Sequence, residues 1–314
     1  MPSYFIIIII GAVILFIFIF YIVYTKHLFN TVFLRQKEIS FLDINLDKTP
    51  YAPYKDKIRK NIIESEKLEY SELFINSFDG LKLYGKYYNN NSDKTVIFVH
   101  GIFAKPHNNF ATQIISFYKH KYNMLVIDQR SHGNSEGKYI TFAENEAKDV
   151  KIWVEKIIQE YNPKSIVLYG TSLGGATVVN YMGLFPNERV KVAIDDCGFE
   201  SIKSVFKVRL KKNHIPLWTI YPICKLYGRI FAHIHIDKYP PIEAIKQVKK
   251  PMIFIHSKND SIVDFNDGVD LYNNHPGKKI KFFYDNANHT SVFLANEEEI
   301  EDQFYSFIED QLHN

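Results

Sequence analysis

The chain has 314 residues, 46% hydrophobic and 15% aromatic, enough to bury the core of one large domain or two small ones. Lys and Arg number 38 against 35 Asp and Glu, and a formal charge of +3 is too balanced to suggest a nucleic-acid partner. Two cysteines, Cys197 and Cys224, make no disulfide framework and read as buried thiols.

The first segment is unlike the rest. "YFIIIIIGAVILFIFIFYIVY" (Tyr4 to Tyr24) carries no charge. As a helix it spans about 30 Å, the thickness of a hydrocarbon core. Tyrosines at both ends suit the interface. A cleaved signal peptide fits poorly, because no Lys or Arg precedes the run and no small-x-small site follows it. Residues 1–25 are therefore expected to be an uncleaved, single-pass membrane anchor. Lys26, Arg35 and Lys37 follow it, and the positive-inside bias favours a cytoplasmic body. Some bacterial signal anchors hold such domains outside, so the side stays open.

Residues 26–69 read as a juxtamembrane connector. It mixes charges, Pro50, Pro53 and a short amphipathic piece around "YKDKIRKNIIESEKLEY". The domain proper is expected over 70–314. In "SELFINSFDGLKLYGKYY", alternating apolar residues flank Asp79-Gly80, a hairpin signal. Six β-branched or aromatic runs follow: 95–101, 123–130, 165–172, 190–197, 251–258 and 279–285. They read as strands buried on both faces. Helical stretches at about 107–120, 143–161, 174–185, 265–275 and 296–312 separate or follow them. Strands alternating with helices predict an α/β fold with a doubly wound, mostly parallel sheet. Such sheets bind ligands at the carboxyl ends of their strands. The alternation breaks at about 201–248, where "LWTIYPICKLYGRIFAHIHI" is apolar and aromatic. A helical insertion there would form a lid.

"VLYGTSLGGATVVNYM" poses the functional question. Its glycines either permit a tight strand-to-helix turn or serve to present Ser172. A GxSxG match alone is weak; a strand before and a helix after it meet the condition for a nucleophile elbow. The turn strains the central residue, and the following helix aims its dipole and free N–H groups at developing negative charge. A serine nucleophile needs a base, and the base needs an orienting carboxylate. "FIHSKNDSIVDF" offers Asp260 and Asp264, and "FFYDNANHTSVF" offers His289. Asp260 lies just past its strand and is taken as the orienter; Asp264 is read as a helix N-cap. His289 stands out among the 12 histidines by following the last strand. For an oxyanion hole, the N–H groups of Leu173 and of Ile102, the latter preferred to Phe103, are the expected donors. His100 reads as a loop organiser. Asp195, Asp196 and Glu200 are the carboxylates that could hold a substrate ammonium, or could equally be solvated or capping. His233 and His235 lack an evident third ligand, so no metal is expected, and no cofactor. The sequon at Asn288 overlaps the expected base and is taken as chance.

Together "VHG", "DQRSHGNSEG", "GTSLGG", "HSKNDSIV" and "NHTSVF" resemble the α/β-hydrolase superfamily over residues 70–312. More narrowly, the chain is similar to bacterial hydrolases related to serine aminopeptidases and to the Bem46-like group, many with an N-terminal membrane span. The resemblance implies Ser172 as nucleophile, Asp260 as acid and His289 as base, and a structural role for the loop Asp128-x-Arg130-x-His132-Gly133-x-Ser135. Two positions depart from the pattern: Ser257 replaces a usual Gly, and Asp264 a usual Pro. A serine rather than an aspartate at the elbow implies acyl transfer to water, not dehalogenation or epoxide opening. The first expectation is a membrane-anchored serine hydrolase acting on small-molecule esters. A peptidase or thioesterase would keep the same triad, and a silent membrane-tethered binding module is the alternative from another class.

Overall fold

The computed structural model describes residues 3–312. Eight strands form one sheet: β1 (Ser71–Asn76), β2 (Lys82–Tyr88), β3 (Lys94–Val99), β4 (Asn123–Ile127), β5 (Ser165–Thr171), β6 (Val190–Asp196), β7 (Met252–Ser257) and β8 (Lys279–Tyr284). Their order is β1-β2-β4-β3-β5-β6-β7-β8. The β1–β2 hairpin turns at Asp79-Gly80, and β2 pairs antiparallel with β4. All later pairings are parallel. The chain winds outward from β3 to β4 and then returns to place β5 on the other side of β3. That reversal opens a crevice at the carboxyl ends of β3 and β5.

The helices are α1 (Ser3–Phe33), α2 (Lys55–Ser65), α3 (Pro106–Asn109), α4 (Ala111–Lys119), α5 (Glu144–Tyr161), α6 (Leu173–Leu184), α7 (Ile202–Lys212), α8 (Leu217–Tyr227), α9 (Pro241–Ala244), α10 (Phe265–Asn274) and α11 (Val292–Leu312). Strand alternation divides the core. Ile97 and Val99 face α5, α6 and α10, together with Trp153 and Val178. Val96 and Phe98 face α4 and α11, against Phe117 and Phe304. This period of two, apolar on both faces, is what a central parallel strand requires. Within α11, Asn296 leaves the helical conformation, and its side chain donates to the Val292 carbonyl at 3.0 Å.

A third apolar cluster sits above the carboxyl ends of the strands. The insertion contributes Phe206, Tyr221 and Tyr227 from α7 and α8, and the elbow contributes Leu173. Phe29 and Phe33 of α1 complete it, both fully buried. Burying each ring stabilises the docked state by about 1.5–3 kcal/mol. Helix α1 therefore passes the expected anchor boundary at residue 25 without a break. Its apolar part up to Tyr24 is exposed apart from Tyr21, and its last two turns lie against the body. It is long and apolar enough to cross a membrane.

The connector lies along the domain. Ile39 bridges Ala104, and Leu34 bridges Tyr139. Arg35 Nη1 donates to the Ser135 carbonyl at 2.7 Å. Its amphipathic piece forms α2, with Ile58 and Ile62 buried.

Candidate active site

The glycines around Ser172 answer a packing demand. A Cβ at Gly170 would collide with the Gly174 carbonyl, and one at Gly174 with the carbonyl of Val99. Strand β5 and helix α6 can turn this sharply, against β3, only with no side chain there. Ser172 sits at the apex with φ +53 and ψ −114, a conformation an L-residue adopts only when its surroundings impose it. Its own N–H is held by the Asp196 carbonyl at 2.8 Å. Helix α6 starts one residue later, so its unsatisfied N–H groups surround the serine.

Asp260 and His289 come together across two neighbouring strand ends. His289 Nδ1 lies 2.6 Å from Asp260 Oδ2. Oδ1 of the same carboxylate accepts the N–H groups of Ile262 at 2.8 Å and Val263 at 2.9 Å. The Asp260 side chain is fully buried. Burial would raise its pKa, but the imidazoles of His289 and His256 outweigh it and hold the carboxyl well below the usual range. Asp264 is placed elsewhere: it caps α10, accepting the Asn266 N–H at 3.0 Å.

Several partners in this arrangement carry no sequence signal. Asn288 joins the two loops, donating to the Asn259 carbonyl at 3.1 Å and accepting from Ser261 Oγ at 3.0 Å and the His289 N–H at 2.8 Å. Ser257, the departure from the family pattern, adds a clip: its hydroxyl donates to the Ala287 carbonyl at 2.6 Å. His256 is buried, with Nε2 3.3 Å from Asp260 Oδ2 but not aligned for a hydrogen bond. From the connector, Tyr51 donates its hydroxyl to the His289 carbonyl at 2.9 Å. The expected base is thus held from three sides.

The loop after β3 is fixed by imidazoles in one tautomer each. His100 bonds the Gly101 carbonyl through Nδ1 at 2.6 Å and accepts the Gln129 N–H at Nε2, 2.9 Å. It is buried and organises the loop. His132 accepts the Phe103 N–H at 3.1 Å. That bond occupies Phe103, whereas among the described residues no hydrogen bond uses the N–H of Ile102 or of Leu173. Asn109 ties this loop to the elbow, its Oδ1 accepting from the Gly101 N–H at 3.1 Å and Thr171 Oγ1 at 2.9 Å.

Ser172, Leu173 and Ile102 line one cavity of about 250 Å³, walled by Phe103, Phe142, Phe199 and Phe206. A groove of about 450 Å³ on the outer face of the insertion, between Lys225 and Lys238, holds none of these residues. The three candidate ammonium binders are not in the Ser172 cavity. Asp195 is buried and accepts the Gly198 N–H at 2.9 Å; Asp196 is buried and accepts from the Tyr169 hydroxyl at 3.0 Å. Burial pushes their pKa values up, to about 7 and about 6. Glu200 is half-buried outside it. Among the described residues, Cys197, Asp260 and His289 converge closely enough to share an ion. Two of them already bond each other, and burial keeps the Cys197 thiol protonated, so the set suits a metal badly. His233 and His235 are both exposed on the insertion.

A family described as "Serine aminopeptidase, S33" matches residues 90–213, a span that includes Ser172 and ends before Asp260. An uncharacterized Bacillus subtilis protein, YqkD, is 25% identical over 240 residues, covering 75% of this chain and 78% of its own length. The human acylamino-acid-releasing enzyme is 27% identical over 202 residues, 57% of this chain and 26% of that enzyme. A solved Pyrococcus furiosus esterase superposes with a TM-score of 0.66 at 20% identity, over 90% of this chain and 98% of that one.

Proposed function

We propose that this chain, a member of the α/β-hydrolase superfamily, is a membrane-anchored serine hydrolase that cleaves carboxylic esters. The observation that carries the reading is the Asp260–His289 contact at 2.6 Å. It forms at the same sheet edge as a serine held in a left-handed, strained turn and opening onto an apolar cavity.

The chemistry follows from these groups. Ser172 Oγ attacks the ester carbonyl carbon as its proton passes to His289. Asp260 holds the imidazole in the tautomer that accepts at Nε2 and stabilises the imidazolium formed. The N–H groups of Ile102 and Leu173 receive the negative charge on the carbonyl oxygen. Collapse breaks the ester C–O bond, and His289 returns the proton to the leaving alcohol. Water then adds to the acyl-enzyme with His289 as base, and the carboxylic acid leaves with Ser172 restored.

An ester fits better than an aminopeptide. An aminopeptidase needs a carboxylate facing the substrate ammonium, and Asp195 and Asp196 are buried and bonded elsewhere. The exposed apolar part of α1 supports a single membrane span, and the basic residues after it favour a cytoplasmic body.

The test is labelling of the detergent-solubilised chain with a fluorophosphonate, followed by peptide mapping. Modification at Ser172, lost in Ser172→Ala and suppressed in His289→Ala, is the expected result. A folded protein that neither a fluorophosphonate nor a small sulfonyl fluoride modifies would mean a silent module.

A further inference from the structure

The cavity over Ser172 is roofed in part by the helix that precedes the domain. Val32 of α1 lines it, beside Phe206 of α7. A second cavity, of about 510 Å³, shares Val32, Phe206 and Arg209 with the first and continues along α1 past Leu28 to Tyr24. From Val32 to Tyr24 is about 12 Å of helix. Tyr24 is also where the exposed apolar stretch of α1 ends. The two cavities thus adjoin across Val32, Phe206 and Arg209, and the second follows the flank of the helix toward the segment suited to a bilayer.

The lining of the second cavity mixes Leu28, Leu210, Ile215 and Ile220 with Thr31, Arg209 and Asn213, and the surface around its Tyr24 end carries large exposed apolar side chains. Trp218, Leu226, Ile230 and Phe231 of the insertion are exposed. They lie where α8 meets α1: Tyr21 donates its hydroxyl to the Thr219 carbonyl, and Thr25 Oγ1 lies 3.3 Å from the Tyr227 hydroxyl. Lys26 Nζ stands over the Phe231 ring. Large exposed side chains of this kind beside a membrane-suited helix fit the interfacial region, where aromatic groups are favoured.

We infer that the second cavity is an acyl-chain groove, and that the substrate is a long-chain ester resident in the bilayer, which reaches Ser172 along α1 without passing through water. This rests on the serine-hydrolase and membrane-span readings above. The ester carbonyl lies over Ser172, and the chain runs past Val32 toward Tyr24 and the hydrocarbon. A short soluble ester needs only the first cavity.

The experiment uses the full chain reconstituted in phosphatidylcholine vesicles, with two readouts. One is hydrolysis of an oleoyl monoacylglycerol placed in the vesicles, relative to that of p-nitrophenyl acetate in the water. Thr31 lines the groove but not the serine cavity. Thr31→Trp should lower the long-to-short ratio by about tenfold or more, since each excluded methylene removes a comparable factor. The other readout needs no variant: on the wild-type chain, a hexadecyl fluorophosphonate carried in the vesicles should modify Ser172 faster than its ethyl homologue. An unchanged ratio in Thr31→Trp, with equal labelling by the two homologues, would overturn the groove while leaving the hydrolase intact. Absence of any labelling or acetate hydrolysis would instead remove the hydrolase reading, and the groove with it.

Discussion

At the scale of single residues, two aspartates four positions apart carry opposite expectations. Asp260→Asn removes the carboxylate that orients His289, and kcat should fall by about 10⁴-fold. Asp264→Asn keeps a competent cap on α10, so steady-state kinetics should barely change. The reverse ranking would reassign the acid. His132 gives a second expectation. Burial lowers its pKa to about 4, against an ordinary value near 6.5. The neutral imidazole that accepts the Phe103 N–H thus stabilises the fold fully above about pH 6.5, and that contribution is lost as pH falls toward 4. His132→Ala should cost about 1–3 kcal/mol at pH 7 by leaving the half-buried Phe103 N–H without its acceptor, and less at pH 5, in urea melts at the two values. The turn at Ser172 was legible from its GxSxG pattern, and the Asp260–His289 contact because both residues follow neighbouring strands. Asn288, Ser257 and Asn109 were not, because each acts through a partner fixed only by the fold. A short polar residue in a loop looks the same whether it clips two loops together or faces water.

Among the elements, the buried strands were legible to within two residues at each end, apart from β4, which stops at Ile127, three residues before the expected end. Runs such as "TVIFV" have one reading when turn residues bound them and helices follow. The insertion read as helical from composition, yet nothing in its sequence located Pro222 within α8 or the π turn at Gly228–Ala232. The end of α1 was the least legible boundary. Its change from exposed to docked happens at Thr25 without any change of secondary structure. Phe16 and Phe33 look alike in sequence, but one is exposed and the other fully buried. Phe33→Ala should therefore destabilise the domain by about 3–5 kcal/mol, whereas Phe16→Ala should leave it unchanged. Thermal melts of both variants in the same detergent would check this, and equal effects would mean that α1 does not dock.

For the molecule as a whole, Arg130 is the point where distant parts meet. Its Nε lies 2.6 Å from Asp149 on α5, and its Nη1 lies 2.8 Å from Asp79 in the β1–β2 turn. Burial raises the Asp149 pKa even with the guanidinium beside it. Arg130→Met would leave that carboxylate buried and unpaired, a loss of about 3–5 kcal/mol at pH 7. Without its partner the carboxyl binds a proton more readily in the folded state, so the variant should recover part of the loss at pH 5. Denaturation at both values tests the sign. A second whole-molecule feature is the unbroken course of α1 from its exposed stretch to Val32 above the serine. If α1 spans a bilayer as proposed, a stiff rod shared by the span and the roof of the site would leave the domain little freedom to tilt or rise. Ser172 would then travel at a constant height over one leaflet, and its search for substrate would be a diffusion in two dimensions. The rate would follow the ester's mole fraction in the membrane rather than its concentration in the surrounding volume.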